Sequence, residues 1–337
     1  MDNFLDKIFF RSRNLDYISQ NLINLTTQTP AIRIFEALNT YSESSEVRYV
    51  GGCVRKIIKK EKVDDIDLAT NLVPSEVCDA LKKQNINFYE TGIQHGTITA
   101  IIDDHKYEIT SLRKDVSTDG RHAKVEFSSD WKEDAARRDF SINSIYSDKD
   151  GNLFDPYNGK KDLESGNINF IGDSENRIKE DYLRILRYVR FFINYSNQSH
   201  DLNIIKKIKK NIDGVSKLSS ERLLDEFKKL TRSNAFLKIF NDNISLELIK
   251  IIFPQLKNLD IFKKLNSYAL DNLSKVDFIF LLSLLIVDGT DNTDYFLYKF
   301  NISKKNQKRL KSINFFYKEN VSIKNFNEKN LNKIFYY

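Results

Sequence analysis

The sequence predicts an α+β chain in which a small mixed β-sheet head is followed by an all-α remainder. Three observations predict it. Nine of the 11 glycines lie between Gly51 and Gly172, and only Gly214 and Gly289 follow; glycine supplies turns and close backbone approaches, so its scarcity later points to helix. Strand-like patterns are confined to the front, at residues 46–50, 66–69, 97–102 and 106–113. From residue 175 onward Leu, Ile and Phe recur at helical spacing.

The elements follow in order. Ile32, Ile34, Phe35 and Leu38 give residues 31–39 the spacing of a helix, and residues 46–50 read as a strand. Gly51 and Gly52 turn the chain into a short helix at 54–60. A second strand at 66–69 leads to a helix at 74–83, with Pro74 at its first turn. A hairpin spans 97–113 around a turn at 103–105, residues 114–129 read as a long loop, and 134–145 reads as a helix. Strand and turn return at 153–162, and helices are expected at 175–193, 203–212 and 220–231. With 337 residues, two or three domains are expected. The boundaries drawn are a leader of unassigned role at 1–30, a head at 31–165, a neck at 166–232, and a body and tail at 233–337.

Composition narrows the setting. Hydrophobic residues at 41% and charged residues at 30% exclude collagen-like, disulfide-stapled and wholly disordered classes. No apolar run approaches 18 residues, so no membrane span is expected. No secretory signal is expected from the mixed-charge start at residues 1–13. Cys53 and Cys78 are too few and too far apart for a zinc site or disulfide framework, which favours a reducing, cytoplasmic compartment. The net charge of +6 divides unevenly, −4 over residues 1–190 and +10 over 191–337. That split suits a front that handles metal ions and a back that meets a polyanion, although a Lys-rich solvated surface has the same arithmetic. Eight of 16 arginines fall between Arg113 and Arg190 in a chain that otherwise prefers lysine, which marks places needing a planar, bidentate donor.

Asp65 and Asp67, two apart at the start of a strand, share one sheet face. Two hard oxygen ligands on one face can converge on a pair of Mg²⁺ ions, the arrangement that phosphoryl and nucleotidyl transfer use. Acidic pairs at strand ends are more often solvated, and the preceding context changes the balance. Gly51 and Gly52 lie at a strand-to-helix turn with Arg55 one turn on, a place where backbone N–H groups, the helix N-terminus and a guanidinium can hold a triphosphate. Glu108, on the second strand of the hairpin, supplies a third carboxylate.

The segments RYVGGCVRKIIKKEKVDDIDLAT, GIQHGTITAII, YEITSLRKDV, DGRHAKVEF, EDAARRDFSINSIY, FDPYNGKKDL, RIKEDYLRILRYVRF and SSERLLDEF, in this order, resemble the class II tRNA nucleotidyltransferases, the CCA-adding enzymes of the tRNA nucleotidyltransferase and poly(A) polymerase family. The resemblance runs from about residue 48 to residue 227. It implies a nucleotidyltransferase-type head and template-independent addition of CCA to tRNA 3′ ends from CTP and ATP. It also implies Mg²⁺ at Asp65 and Asp67, two ions per site, with Glu108 assisting. Arg137, Arg138 and Asp139 would bind the nucleotide's phosphates and ribose. The neck would select the base through Asp181 and Arg184, with Arg187 continuing the row, as a protein imitation of a Watson–Crick partner. Arg113, Asp115, Asp119, Gly120, Arg121 and His122 match the family's flexible loop, associated with the switch from C to A.

The same resemblance implies structural roles for Asp155, Gly159 and Asp162 and for Glu221, Arg222 and Glu226. His95 reads as a turn or packing residue, and His122 as a hydrogen-bonding loop residue. Lys56 stands where the family usually has Asp or Asn. The basic tail, including Lys206, Lys207, Lys209, Lys210, Lys304, Lys305, Lys308 and Arg309, would meet a tRNA acceptor arm through its phosphates. No DNA or membrane partner is expected, and the protein would be a monomer or homodimer. Other readings stay open: a poly(A) polymerase, an A-adding or CC-adding relative, a small-molecule nucleotidyltransferase, or a catalytically silent RNA-binding protein.

Overall fold

In the computed structural model, which describes residues 16–118, 123–233 and 235–319, the chain divides after Asp173 into two compact units. The first holds every strand among the described residues. Seven of them, β1 (Val47–Val50), β2 (Ile66–Thr70), β3 (Asn87–Gly92), β4 (Thr97–Ile102), β5 (His105–Ser111), β8 (Tyr146–Ser147) and β9 (Leu153–Phe154), form one sheet in the order β3-β4-β5-β2-β1-β8-β9. Only β2 and β5 pair in parallel; the other neighbours are antiparallel. A separate ribbon is made by β6 (Arg113–Thr118) and β7 (Ala123–Phe127).

The alternation of side chains gives the main sheet two different faces. Tyr49, Leu68, Ile98, Ala100, Tyr107 and Ile109 are buried beneath three helices, α1 (Tyr17–Thr27), α2 (Ala31–Asn39) and α4 (Pro74–Lys83). Phe35 of α2 meets Tyr49 with ring centroids 4.8 Å apart, and Thr26 of α1 bonds the Tyr49 hydroxyl at 3.0 Å. The hydroxyl is thus satisfied while its ring is buried, which removes the cost of an orphaned polar group. α1 is capped by Asp16, which accepts from Ser19 N at 2.8 Å, and the Ser19 hydroxyl donates to the Gly151 carbonyl at 3.0 Å. Residues 17–27 of the expected leader therefore pack as part of the head. The other sheet face carries Asp67, Thr97, Glu108 and Thr110, beside an apolar cluster of Val50, Ala69, Leu112, Ala135 and Tyr146. α3 (Gly52–Ile58) leaves the end of β1 at that face.

Several expectations are corrected here. The helix expected at 134–145 is short, α5 (Trp131–Ala136); Asp139 accepts from Phe140 N and from Asn143 Nδ2, and this local competition for donors turns the chain out of the helix. Residues 114–129 are mostly ribbon rather than loop, because Arg113 pairs with Phe127 and Asp115 with Val125. Strand β3 was not expected: Asn87–Gly92 has no clean alternation and is held by its pairing with β4. The hairpin of β4 and β5 falls as expected, with Asp103 and Asp104 both at positive φ in its turn.

The second unit is helical. α7 (Ser174–Glu180), α10 (Ser220–Thr231) and α11 (Asn243–Ile252) pack against α8 (Leu183–Tyr195), and α9 (Leu202–Asn211) packs against α7. Four shorter or later helices follow, α12 (Ser267–Asn272), α13 (Phe278–Ile286), α14 (Asn292–Lys299) and α15 (Lys304–Glu319). Phenylalanine bridges the layers: Phe227 to Phe253 at 4.8 Å, Phe253 to Phe300 at 6.0 Å, Phe300 to Phe296 at 4.5 Å. No described helix is long and apolar enough to cross a membrane.

Gly159, first residue of α6 (Gly159–Ser165), shows how tightly the head's far end is built. A Cβ there would overlap the Ser141 carbonyl and lie 2.9 Å from Ile145 Cγ1. Gly159→Ala is expected to destabilise the head by about 2 kcal/mol, read as a lower urea midpoint; an unchanged midpoint would refute this packing.

Candidate active site

At the end of β1 the chain reverses through Gly51, at φ 67 and ψ −111, a conformation that an L side chain rarely adopts. The next residue opens α3, and a Cβ on Gly52 would stand 3.7 Å from Asp67 Oδ2. The two glycines thus bring a helix start against the carboxylate. Arg55, one turn on, is buried and donates to Asn143 Oδ1, while Asn143 Nδ2 donates to Asp139 Oδ1 at 2.8 Å. Arg55 and Asp139, expected separately, are joined through Asn143.

The parallel pairing of β2 with β5 sets Asp67 directly beside Glu108. Asp65 lies one residue before β2 and is exposed. Partial burial raises the Asp67 pKa, and Glu108 and then Asp65 add to the rise, against the opposing pull of Arg138 and Arg55. Among the described residues no three His, Cys, Asp or Glu side chains form a metal-holding group. Mg²⁺ needs no such cage, since it keeps waters and commonly takes one or two carboxylates plus substrate phosphate oxygens. A carboxylate opposed by two like charges gains most from a cation, so the donor set of Asp65 and Asp67 fits that ion.

Asp67 and Glu108 border a cleft of about 510 Å³ whose lining also includes His95, Arg113, Arg137 and Arg138. Asp134 organises its arginines, and the sequence reading missed it. Its side chain is buried; Oδ1 takes Arg137 Nε at 2.7 Å, while Oδ2 takes Arg138 Nη2 at 3.1 Å and the Tyr146 hydroxyl at 2.7 Å. Burial alone would raise its pKa, but Arg138, Arg137 and the Tyr146 hydroxyl hold it down at about 2. The signal was present as D-x-x-R-R, spacings of three and four that share a helix face.

Arg113 lies on β6 rather than in a loop, its guanidinium donating to the His95 carbonyl. Asp115 is on the same strand, opposite Val125. Asp119, Gly120, Arg121 and His122 lie outside the described residues. Lys56 pairs with Asp64, next to Asp65. Asp155 accepts from Gly159 N and Lys160 N, and Asp162 accepts from the Ser141 hydroxyl, so both brace the head.

In the helical unit, the continuous helix expected over 175–193 breaks at Asp181 and Tyr182. Asp181 is therefore at a kink and not on a helix face. Its Oδ1 accepts from Leu183 N at 3.1 Å, drawing a backbone donor out of the helical ladder; its Oδ2 takes Arg222 at 2.7 Å. Arg184 donates to Glu180 and to the Arg177 carbonyl, each at 2.7 Å. Glu226, also buried, holds Arg190 and lies 3.9 Å from Arg187. Helix α10 thus presents Arg222 and Glu226, one turn apart, to opposite charges at the kink and along α8. Part of the basic tail is spoken for: Lys209 pairs with Glu247, Lys210 with Glu175 and Arg309 with Asp277.

Residues 47–169 match the poly A polymerase head domain, and residues 201–259 match the probable RNA and SrmB- binding site of polymerase A. Fold and head match together define a nucleotidyltransferase class. The human mitochondrial CCA tRNA nucleotidyltransferase 1 is 39% identical over 249 residues, 73% of this chain and 57% of its own. The CCA-adding enzyme of Lactobacillus johnsonii is 34% identical over 243 residues, 71% of this chain and 59% of its own. The chain spans about half the length of the curated relatives it matches, from 44% to 59%. The crystal structure of the Bacillus stearothermophilus CCA-adding enzyme in complex with CTP superimposes with a TM-score of 0.71 at 23% identity, covering 90% of this chain and 73% of that one. A tRNA nucleotidyltransferase complexed with a primer tRNA and an incoming ATP analog gives 0.65 at 21% identity, covering 93% and 86%. The chain belongs to the class II CCA tRNA nucleotidyltransferase family, within the group that shares the poly A polymerase head domain.

The low Asp134 pKa predicts an acid limb. A folded-state pKa of about 2 below an unfolded value of about 3.9 gives stability that is complete above pH ~4 and lost as pH falls toward 2, worth about 2 kcal/mol. Asp134→Asn is expected to flatten that limb and to cost about 3 kcal/mol at neutral pH, because two partly buried guanidinium groups lose their counter-ion. Urea midpoints of both proteins from pH 2 to 7 check it; parallel acid limbs would reject the assignment.

Proposed function

We propose that this protein adds CCA to the 3′ end of tRNA, taking CTP and ATP without a nucleic-acid template and releasing pyrophosphate. The observation that carries the reading is that Asp67 stands beside Glu108 on the cleft and against the Gly51–Gly52 turn, in a chain from this family. Similar structures, one in complex with CTP and one with a primer tRNA and an incoming ATP analog, support the substrates.

Asp65 and Asp67 would hold Mg²⁺, two ions per site, which when bound supply charge neutralisation at the reacting phosphate and activation of the RNA 3′-hydroxyl. The backbone N–H groups after Gly51 and the guanidinium of Arg138 bind and orient the triphosphate. Arg137 lies alongside, and Asp134 keeps both arginines aimed without a reorganisation cost at the moment of reaction. Arg55 and Asn143 hold Asp139, whose carboxylate is then placed to accept from ribose hydroxyls. Glu108 accepts a proton or orients the attacking hydroxyl.

Residues 166–232 act as the base-selecting neck and 233–337 as the body and tail that meet the tRNA acceptor arm. Asp181 accepts from the amino group of C or A, Arg184 donates to the ring, and Arg187 extends that row. G and U leave these groups mispaired, which is costly where water is excluded. Arg113, Asp115 and residues 119–122 form the element that switches from C to A. The compartment proposed is cytoplasmic, with the mitochondrion as the setting named for the human relative. The head-domain match favours one second reading, a polymerase that adds only A.

Purified protein incubated with tRNAs ending at the discriminator base, at C and at CC, each NTP offered in turn, is expected to add C, C and A and then stop. Continued A addition would select the polymerase. Asp67→Ala should reduce incorporation at least about a hundredfold while tRNA binding persists; undiminished turnover would sink the metal assignment. Asp181→Ala or Arg184→Ala should lower discrimination against U and G about tenfold or more, and unchanged fidelity with all four NTPs would reject the protein template.

A further inference from the structure

The cleft continues past the paired carboxylates on the side away from the glycine turn. In the sheet order, β1 and its Gly51–Gly52 turn flank β2 on one side, and β5 and then β4 follow on the other. Asp67 and Glu108, on β2 and β5, therefore stand between two walls. One wall is the glycine turn with Arg138, whose Nη1 would be 3.7 Å from a Cβ on Gly51. The other is formed by His95, Thr97, Thr110 and Arg113; of these only Arg113 has a role in the proposed function, in the switch from C to A.

The second wall is built rather than incidental. His95 closes a single 3₁₀ turn, Ile93–His95, and Gly96 follows in the left-handed region at φ +78. A Cβ on Gly96 would come within 2.8 Å of Phe127 Cε1, so the β6–β7 ribbon presses directly on this turn. Arg113 donates to the His95 carbonyl, Ser111 N donates to the Gly96 carbonyl at 2.8 Å, and the Thr97 and Thr110 hydroxyls bond each other at 3.1 Å. The backbone of His95 and Gly96 is thus tied at two points and the Thr97 side chain at a third, while His95 stays exposed on the cleft. His95 is thus the turn residue the sequence suggested, with its side chain exposed and not packed.

In an in-line displacement at phosphorus, the attacking and leaving oxygens lie on opposite sides. With pyrophosphate leaving toward the glycine turn, the attacking 3′-hydroxyl must arrive from the other wall. We propose that His95, Thr97, Thr110 and Arg113 form the subsite for the 3′-terminal sugar-phosphate of the acceptor RNA, with His95 donating to its last phosphodiester. The inference rests on the proposed nucleotidyl transfer and assigns its acceptor side. A ring N–H donor and two hydroxyls suit a singly charged phosphodiester and a ribose, whereas the opposite wall, with a helix start and Arg138, suits the more highly charged triphosphate.

Two measurements on His95→Ala and His95→Gln test it. In steady state with a tRNA ending in CC, His95→Ala is expected to raise the RNA KM about tenfold, the effect of one lost charge-assisted bond, with the ATP KM within about twofold and partial rescue by His95→Gln. In a binding assay without nucleotide, a labelled RNA hairpin ending in CC is compared with the same hairpin lacking those residues; wild type should favour the longer one and His95→Ala should not. A raised ATP KM with an unchanged RNA KM would overturn the proposal by placing His95 on the triphosphate wall. Indifference of the hairpins to His95 would overturn it as well. A wild-type protein that binds the hairpins selectively yet incorporates nothing would count against the proposed function and not against the subsite. Because the imidazole is exposed, the melting temperature should not change, which separates this role from a structural one.

Discussion

The head is organised around a repulsion. Parallel pairing of β2 with β5 puts Asp67 beside Glu108, at a strand spacing near 5 Å, where two full charges repel by roughly 1 to 3 kcal/mol between the limits of water and an effective dielectric of 20. An antiparallel neighbour would have been easier to reach by a short turn. Parallel pairing instead requires α4 and the β3–β4 excursion between the two strands. Around this confrontation the chain assembles partial compensation: Arg138 and Arg55 draw on Asp67, Asp134 fixes Arg138, and Tyr146 bridges Asp134 to the sheet. Each brace stands one step further from the carboxylates, so much of the head's polar interior follows from keeping two anions side by side.

Strands β1 and β2, the glycine turn and the β4–β5 hairpin were legible because each rests on short-range chemistry: a period of two, a breaker pair, a turn at Asp103 and Asp104. The Asp65–Asp67 spacing was legible for the same reason, while the partnership of Asp67 with Glu108 crosses 41 residues and depends on a strand order that no local pattern encodes. The break at Asp181 was missed because periodicity runs through it; the side chain that breaks the helix is the residue of interest, and its capture of Leu183 N is a geometric event. Asn143 was missed for a related cause. A buried amide between Arg55 and Asp139 has no sequence signature until its two neighbours are known to meet.

The charge split between the halves acquires a more specific form. In the helical unit, α10 works as a splint: Arg222 holds the anionic kink at Asp181 and Glu226 holds the cationic row on α8. A helix with a single pattern of charge could not satisfy both, so the reversal of sign within one turn of α10 fixes its register against α8. Other basic residues of this half are also balanced locally, as Lys209, Lys210 and Arg309 are. Net charge alone therefore overstates the surface available to a polyanion.

The contact between Ser19 and the Gly151 carbonyl joins positions 132 residues apart. During synthesis at about 5 to 20 residues per second, the helix Tyr17–Thr27 waits on the order of ten seconds before that partner exists. Tyr49 comes sooner, but the last of the sheet, β8 and β9, comes as late as Gly151. The head is therefore incomplete until β8, β9 and Gly151 have emerged, and until then the helix Tyr17–Thr27 lacks part of its packing.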